Sequence, residues 1–79
     1  MLIRSQDKEV ITNMAATNQI YVREIYRQNG SLFDISTDEM RLGYYSTKTK
    51  AIKVLDMIQE SYINGHIDFQ MPEDSEVEI

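Results

Sequence analysis

The hydrophobic positions of the chain follow two different spacings. Over most of the sequence they alternate with polar residues in short β-branched and aromatic runs, which is typical of β-strands. Between residues 47 and 64 they recur every three or four positions, which is the spacing of an amphipathic helix. The pattern therefore predicts one long helix and five or six short strands. The predicted strands cover residues 2–5, 9–14, 19–27, 32–36, 41–45 and 66–71.

The helix between residues 47 and 64 has recognisable ends. Ser46 or Thr47 is expected to cap its start, and Asn64-Gly65 is expected to end it, because glycine tolerates the left-handed stop. We expect Leu55 and Ile58 to be deeply buried. The complete buried stripe is predicted to be Ala51, Val54, Leu55, Ile58 and Tyr62.

Three local features shape the expected fold. Asn29-Gly30 predicts a tight hairpin turn, in which both residues supply positive φ values. Gly43, inside a predicted strand, indicates a bulge or the close approach of another segment. Residues 15–18 fit either a turn or one helical turn. Together the elements predict an α+β fold, in which the long helix of the C-terminal half packs on one face of an antiparallel sheet of about five strands.

The acidic side chains are concentrated at the C-terminal end. The 79 residues include 13 Asp and Glu against 8 Lys and Arg, for a formal net charge of -5. Residues 73–79 follow the single proline, Pro72, and carry acids but no base. We therefore expect residues 1–72 to form a single domain and residues 73–79 to form a flexible acidic tail. The nearly neutral body does not favour nucleic acid as a partner.

Composition excludes several kinds of chemistry. The absence of Cys excludes disulfides and thiolate catalysis, and the single His leaves no metal-ligand spacing, so we expect no metal and no cofactor. No acid–base or nucleophile set is evident, and we expect the protein not to be an enzyme. No apolar run reaches the roughly 20 residues that a membrane helix needs. The first five residues do not resemble a signal peptide, so a cytoplasmic protein without membrane contact is expected.

The small size of the domain favours self-association. A domain of this length buries only about 60% of the surface that its unfolded chain exposes. Because neither a disulfide nor a metal is expected to staple the fold, we expect a homo-oligomer.

The start of the predicted helix provides the first candidate site. Acidic residues suit this position, yet Lys48, Lys50 and Lys53 occupy the first two turns. Together with free backbone N–H groups, these cations could hold a phosphate or a carboxylate. The alternative is that the lysines bind nothing and each lowers the stability of the helix by a few tenths of a kcal/mol. The candidate anion site consists of Arg41, Ser46, Thr47, Lys48, Lys50 and Lys53.

A strand face provides the second candidate site. Alternation along residues 19–27 places Tyr21, Arg23 and Arg27 on one face, where they could recognise a nucleotide or a protein. The alternative is an ordinary exposed face with cross-strand pairs, for example to Asp34. Tyr44 and Tyr45 are adjacent, so whichever points outward is a further candidate interface residue.

Several short motifs resemble those of a group of small, mostly uncharacterised proteins of Firmicutes and their phages. They are Ser5-Gln6-Asp7, Leu42-Gly43-Tyr44-Tyr45-Ser46-Thr47, the helix segment 50–58 and residues 69–74. Residues 14–41 are not covered, and Lys48-Thr49 stands where that group usually carries two glutamates. The resemblance implies a sheet-plus-helix fold and a phage or prophage setting, and it implies no catalytic residues.

These observations favour a binding protein that sequesters or inhibits a host factor. In one mechanism, an oligomer captures an anionic, nucleotide-like ligand with Arg41, Lys48, Lys50 and Lys53, to which Arg23 and Arg27 could contribute. In the alternative, of the anti-defence or inhibitor type, an exposed sheet face docks on a host protein. A structural protein without a ligand is the third possibility.

Overall fold

A computed structural model describes residues 1–78 and has an α+β fold. The elements follow the order β1 (Leu2–Arg4), β2 (Ile11–Asn13), β3 (Ile20–Arg27), β4 (Gly30–Thr37), β5 (Arg41–Tyr45), α1 (Lys48–Ile63) and β6 (Asp68–Gln70). Short 3-10 turns occur at Met14–Ala16 and Asp74–Glu76. The predicted fold class and the approximate positions of the strands and the helix are therefore confirmed.

The strands form two sheets of three strands, so the expectation of a single antiparallel sheet is wrong. One sheet is the antiparallel meander β3-β4-β5. In the other, β1 pairs antiparallel with β2 and parallel with β6. The hydrophobic pattern indicates where strands lie but not which strands pair. Here the chain returns after α1 to the free side of β1 instead of extending the meander.

Gln6 joins the two sheets at the edge of β5. Its backbone N–H donates to the carbonyl of Leu42 at 2.8 Å. Its side-chain amide both accepts from the N–H of Tyr44 and donates to the carbonyl of Tyr44, each at 2.9 Å. A Cβ at Gly43 would lie 3.0 Å from the Cβ of Gln6, so any larger residue would push Gln6 away from the strand. The close contact predicted at Gly43 is therefore confirmed.

A bulge also interrupts β5 beside Gly43. Ile35 of β4 lies opposite Gly43, whereas the next residue, Ser36, lies opposite Arg41. Leu42 is the extra residue, and its side chain is buried in the core. The bulge shifts the alternation of side chains along β5, with consequences for the site described below.

The β3–β4 hairpin has a two-residue loop. Arg27 pairs with Gly30 across Gln28 and Asn29, and Gly30 has a φ of 120°. Asn29 does not have a positive φ, which differs from the expectation that both residues would supply one. The glycine alone supplies the left-handed geometry, at the first residue of β4.

The helix packs its buried stripe against β3, β4 and β5. Ala51, Val54 and Ile58 are buried, but Leu55 is only half-buried and Tyr62 is 60% exposed. The prediction that Leu55 would be deeply buried is wrong, because it lies at the rim of an open groove beside β3. The core consists of Ile3, Ile35, Leu42, Tyr45, Ala51, Val54, Ile58, Met71 and Val77.

Both predicted helix ends are confirmed. The hydroxyl of Thr47 accepts a hydrogen bond from the N–H of Lys50 at 3.1 Å, which is an N-cap. At the other end Asn64 is the C-cap, and Gly65 follows with a φ of 76°. No helix within residues 1–78 combines the length and apolar character needed to cross a membrane.

The acidic segment packs on the domain, contrary to the expectation of a flexible tail. Val77 is only 4% exposed and belongs to the core. The carbonyl of Pro72 accepts a hydrogen bond from the hydroxyl of Tyr45 at 2.8 Å, which fixes the point where the segment turns back. A 3-10 turn, closed by reciprocal bonds between Glu73 and Glu76, then directs Val77 inward. Burial of the Val77 side chain thus holds the segment on the domain, although its neighbours are acidic.

Candidate functional site

The start of α1 already holds a carboxylate, which belongs to Asp74. The backbone N–H and the hydroxyl of Ser46 donate to Oδ1 of Asp74 at 2.8 and 3.1 Å. The ammonium of Lys50 donates to the carbonyl of Asp74 at 3.0 Å and approaches its Oδ2 at 3.4 Å. The backbone hydrogen bond from Ser46 lowers the pKa of Asp74 below its ordinary value, and it prevails over the effect of burial. The C-terminal segment therefore occupies the position where an external anion was expected.

The remaining members of the predicted anion site are dispersed. The ammonium of Lys53 donates to the backbone carbonyl of Glu78, and the hydroxyl of Thr47 serves as the helix cap. Arg41 is the first residue of β5, and its side chain donates a hydrogen bond to Asp34 of the neighbouring strand. The six predicted residues do not form one site. The acidic segment folds back over Lys50 and Lys53, Lys48 is exposed, and Arg41 lies on the sheet face that points away from the helix.

The two lysines at the helix start should respond oppositely to charge reversal. Lys48→Glu is expected to stabilise the domain by a few tenths of a kcal/mol, because an acid suits the helix dipole. Lys50→Glu is expected to destabilise it by about 1 kcal/mol, because it sets a second carboxylate beside the partly exposed Asp74. Urea unfolding of the two variants measures the difference. Equal stabilisation by both would contradict the contact between Lys50 and Asp74.

The face of β3-β4-β5 that points away from α1 carries a cluster of arginines and tyrosines. Alternation along β3 places Tyr21, Arg23 and Arg27 on this face. Strict alternation along β5 would put Arg41 and Tyr44 on opposite faces. The bulge at Leu42 brings both onto this one. We call the five residues Tyr21, Arg23, Arg27, Arg41 and Tyr44 the Arg–Tyr face.

Asp34 of β4 lies at the centre of this face and is fully buried. It accepts hydrogen bonds from Nε and Nη2 of Arg23 at 3.2 and 2.8 Å, and from Nε of Arg41 at 2.8 Å. Burial raises the pKa of Asp34, but the hydrogen bonds from Arg23 and Arg41 outweigh burial and hold the pKa below its ordinary value. The arginine side chains themselves remain 49% and 41% exposed, so they are anchored yet accessible.

Tyr44 forms an aromatic platform between two of the guanidinium groups. Cζ of Arg41 lies 4.3 Å from the centroid of the Tyr44 ring, and Cζ of Arg27 lies 5.8 Å from it. Arg41 also donates a hydrogen bond to the hydroxyl of Tyr44. These contacts orient the two arginines by cation–π attraction. Tyr21 is held at the far end of the face, where its hydroxyl donates to the carbonyl of Thr37 at 3.3 Å.

Sequence reasoning found part of this face. Tyr21, Arg23 and Arg27 share it as predicted, and Tyr44 is the outward member of the tyrosine pair, because Tyr45 is buried. Arg41 is predicted to lie at the helix start because it is close to the lysines in sequence, whereas the structure places it beside Asp34. The sequence pattern predicts Asp34 only as a cross-strand partner. The signal that it is central is an aspartate flanked by apolar strand residues, directly opposite Arg23.

Comparison with known proteins assigns no role to this site. No family model, no curated protein and no solved structure matches the chain. Within residues 1–78, no group of three or more His, Asp or Glu side chains is placed to hold a metal ion.

Asp34 should make stability depend on acid pH. The pKa of Asp34 is lower in the folded chain than in the unfolded chain, where it is about 3.9. The ionised carboxylate therefore stabilises the fold fully above about pH 3.9, and this stabilisation is lost as the pH falls through the pKa of the folded chain. Asp34→Asn should therefore destabilise the domain by about 2 kcal/mol near neutral pH, where it loses charge-assisted bonds to two half-exposed arginines. The difference from the native chain should shrink below pH 4. Urea unfolding of both chains from about pH 2.5 to about pH 7, a range that brackets the reference pKa of aspartate, measures this difference. A difference in unfolding free energy that does not change with pH would contradict the ion pairs.

Proposed function

We propose that this protein is a non-enzymatic binding protein that docks its Arg–Tyr face onto an acidic surface of another protein. The observation that carries the proposal is the arrangement around Asp34. A fully buried carboxylate anchors two arginines on a sheet face that the helix leaves uncovered.

The anchoring prepares the face for binding. A guanidinium already held by Asp34 loses less side-chain freedom when it meets a partner carboxylate, so less of the interaction energy is lost to ordering. Arginine and tyrosine are also among the residue types that most often dominate the binding energy of protein interfaces. Three arginines against one aspartate give the face a local charge of +2 within a chain of net charge -5. This contrast favours a partner with exposed carboxylates.

An anionic small molecule is the less supported ligand. The capture mechanism relies mainly on the helix start, where Ser46 and Lys50 already bind Asp74. The Arg–Tyr face is a strand surface, whereas small ligands are usually enclosed in a concave pocket. Nucleic acid is disfavoured by the negative charge of the rest of the chain.

The resemblance to small proteins of Firmicutes and their phages supports a particular setting. In a phage or prophage context, a small protein that covers a surface of a host factor acts as an inhibitor by occupancy. We therefore propose a bacterial host protein as the partner, and inhibition or sequestration as the consequence of binding.

Capture of partners with matched charge variants tests the proposal. The native chain, Arg27→Glu, Tyr44→Ala and Lys48→Glu are each immobilised and exposed to a Firmicutes host lysate, and the bound proteins are quantified by mass spectrometry. Arg27 suits the test because Asp34 is bonded by Arg23 and Arg41 and not by Arg27, so replacing Arg27 should leave the fold intact. Lys48→Glu makes the same change in charge away from the face.

We expect a host protein that binds the native chain and Lys48→Glu equally. Its recovery should fall by about tenfold with Arg27→Glu or Tyr44→Ala, the effect of losing one interface anchor. A captured protein that tolerates both face variants but is lost with Lys48→Glu would contradict the proposal. Calorimetric titration with cyclic and linear nucleotides tests the other ligand class. A nucleotide that binds the native chain but not Arg27→Glu would replace the protein partner.

A further inference from the structure

The outer edge of β3 is a long strand edge without a partner. β3 has eight residues and pairs only with β4 among the described residues. Across the two-residue loop, Arg27 and Gly30 form a hydrogen-bonded pair, and such pairs recur at every second residue. Val22 and Glu24 therefore direct their backbone N–H and C=O groups outward. An open edge of this length can accept another strand.

An open groove adjoins this edge on the helix side of the sheet. Its volume is about 460 Å³, and its lining includes Asn18, Ile20, Leu55 and Tyr62. Leu55 and Tyr62 are the two residues of the predicted helix stripe that the fold leaves uncovered. The edge and the groove form one continuous surface, because Ile20 belongs to both.

We propose that a second copy of this chain covers this surface. The two β3 strands would pair antiparallel about a twofold axis and join the two meanders into a six-stranded sheet. Each copy supplies the same unpaired edge, which is the requirement for a twofold interface. The proposal is independent of the function proposed for the Arg–Tyr face.

Charge along β3 selects the register. An axis at Arg23 or at Glu24 would place each of these charges opposite its own copy, and an axis at Ile25 would place Arg23 opposite Arg27. Like charges directly opposite each other are destabilising. An axis at Tyr21 or at Tyr26 would pair only three residues of the strand. An axis at Val22 avoids like-charge pairs and sets Tyr21 of one copy opposite Arg23 of the other.

The register centred on Val22 also fills the groove. It places Tyr26 of one copy opposite Asn18 of the other. Tyr26 is 81% exposed and lies on the helix side of the sheet by alternation with Val22. Its ring would therefore reach the groove that Asn18 lines, beside Leu55 and Tyr62. In the dimer, the exposed Tyr26 ring of each copy would thus cover the open groove of the other copy.

The Arg–Tyr face remains free in this dimer. It lies on the side of the sheet opposite the groove, so the twofold axis would set two such faces side by side. A partner with repeated acidic surfaces could then bind both faces at once.

Light scattering coupled to gel filtration tests the dimer. The native chain is expected at twice its mass of 9.2 kDa. Glu24→Pro removes an outward N–H without touching the β3–β4 ladder, and the proline ring obstructs an incoming strand. It should raise the dissociation constant of the dimer by at least about tenfold, because two symmetric bonds are lost. Glu24→Ala keeps the N–H and should leave the dimer intact.

A second pair of variants tests the groove. Tyr26→Ala should weaken the dimer by about tenfold, as expected for the loss of an aromatic anchor. Ile67→Ala is its matched control, because Ile67 is 84% exposed and lies outside the groove. Tyr26 is exposed in the single chain, so this test holds even if Glu24→Pro fails to fold.

Cross-linking tests the register in a chain that has no native cysteine. Under oxidation, Val22→Cys should give a covalent dimer, whereas Gln28→Cys at the hairpin tip should not. A native mass of 9.2 kDa at every concentration would overturn the proposal. A dimer that is unaffected by both Glu24→Pro and Tyr26→Ala, or that cross-links through Gln28→Cys but not Val22→Cys, would overturn it as well.

Discussion

Removal of residues 73–79 is expected to destabilise the domain by about 2.5–4 kcal/mol. Burial of the Val77 side chain contributes about 1.5–3 kcal/mol of this total, because the residue is fully enclosed by the core. The bonds that Asp74 makes to Ser46 contribute about 1 kcal/mol more, as a helix cap does. A loss of this size is a large fraction of the stability of a small domain, so the shortened chain should unfold at a clearly lower urea concentration than the native chain.

Urea unfolding of the shortened chain and of two point variants measures this contribution. Val77→Ser should account for most of the loss, whereas Ser75→Ala, at an exposed position, should have little effect. A shortened chain with the unfolding midpoint of the native chain would show that the acidic segment is not part of the folded core.

The second large effect is expected at Ile58. Ile58→Ala should cost about 3 kcal/mol, because it opens a cavity beneath the helix at a buried position. Leu55→Ala should cost about 1 kcal/mol, since Leu55 is half-buried at the rim of the groove.

The comparison of these two variants fixes the rotation of the helix on the sheet. Chemical unfolding at low protein concentration limits any contribution from self-association to the Leu55 value. A cost at Leu55 that equals or exceeds the cost at Ile58 would mean that the helix is rotated toward β3.

The positions of the strands and the helix could be predicted from hydrophobic spacing, but the pairing of strands could not. The spacing that marks residues 66–71 as a strand also fits an added edge of the meander. Its actual position, parallel to β1, depends on contacts between residues far apart in sequence. Gln6 has a comparable role, because a side-chain amide that completes the edge of β5 leaves no periodic signal.

The candidate site was predictable where simple alternation held. Tyr21, Arg23 and Arg27 are correct because β3 is regular. Arg41 and Tyr44 share their face only because of the bulge at Leu42, which the sequence indicated near Gly43 without showing its effect on the neighbours. The error at the helix start has a different origin. The lysines there predict an external anion, whereas the anion that Ser46 and Lys50 bind is Asp74, which composition places in the tail.

Site-specific photo-cross-linking in living host cells tests the central claim most directly. A photoreactive phenylalanine analogue replaces Arg27 on the Arg–Tyr face in one chain and Lys48 at the helix start in a second. We expect a discrete adduct with a host protein from position 27 and none from position 48, with the position 27 adduct lost when Tyr44→Ala is added. An adduct from position 48 alone would contradict the claim that the Arg–Tyr face is the binding surface.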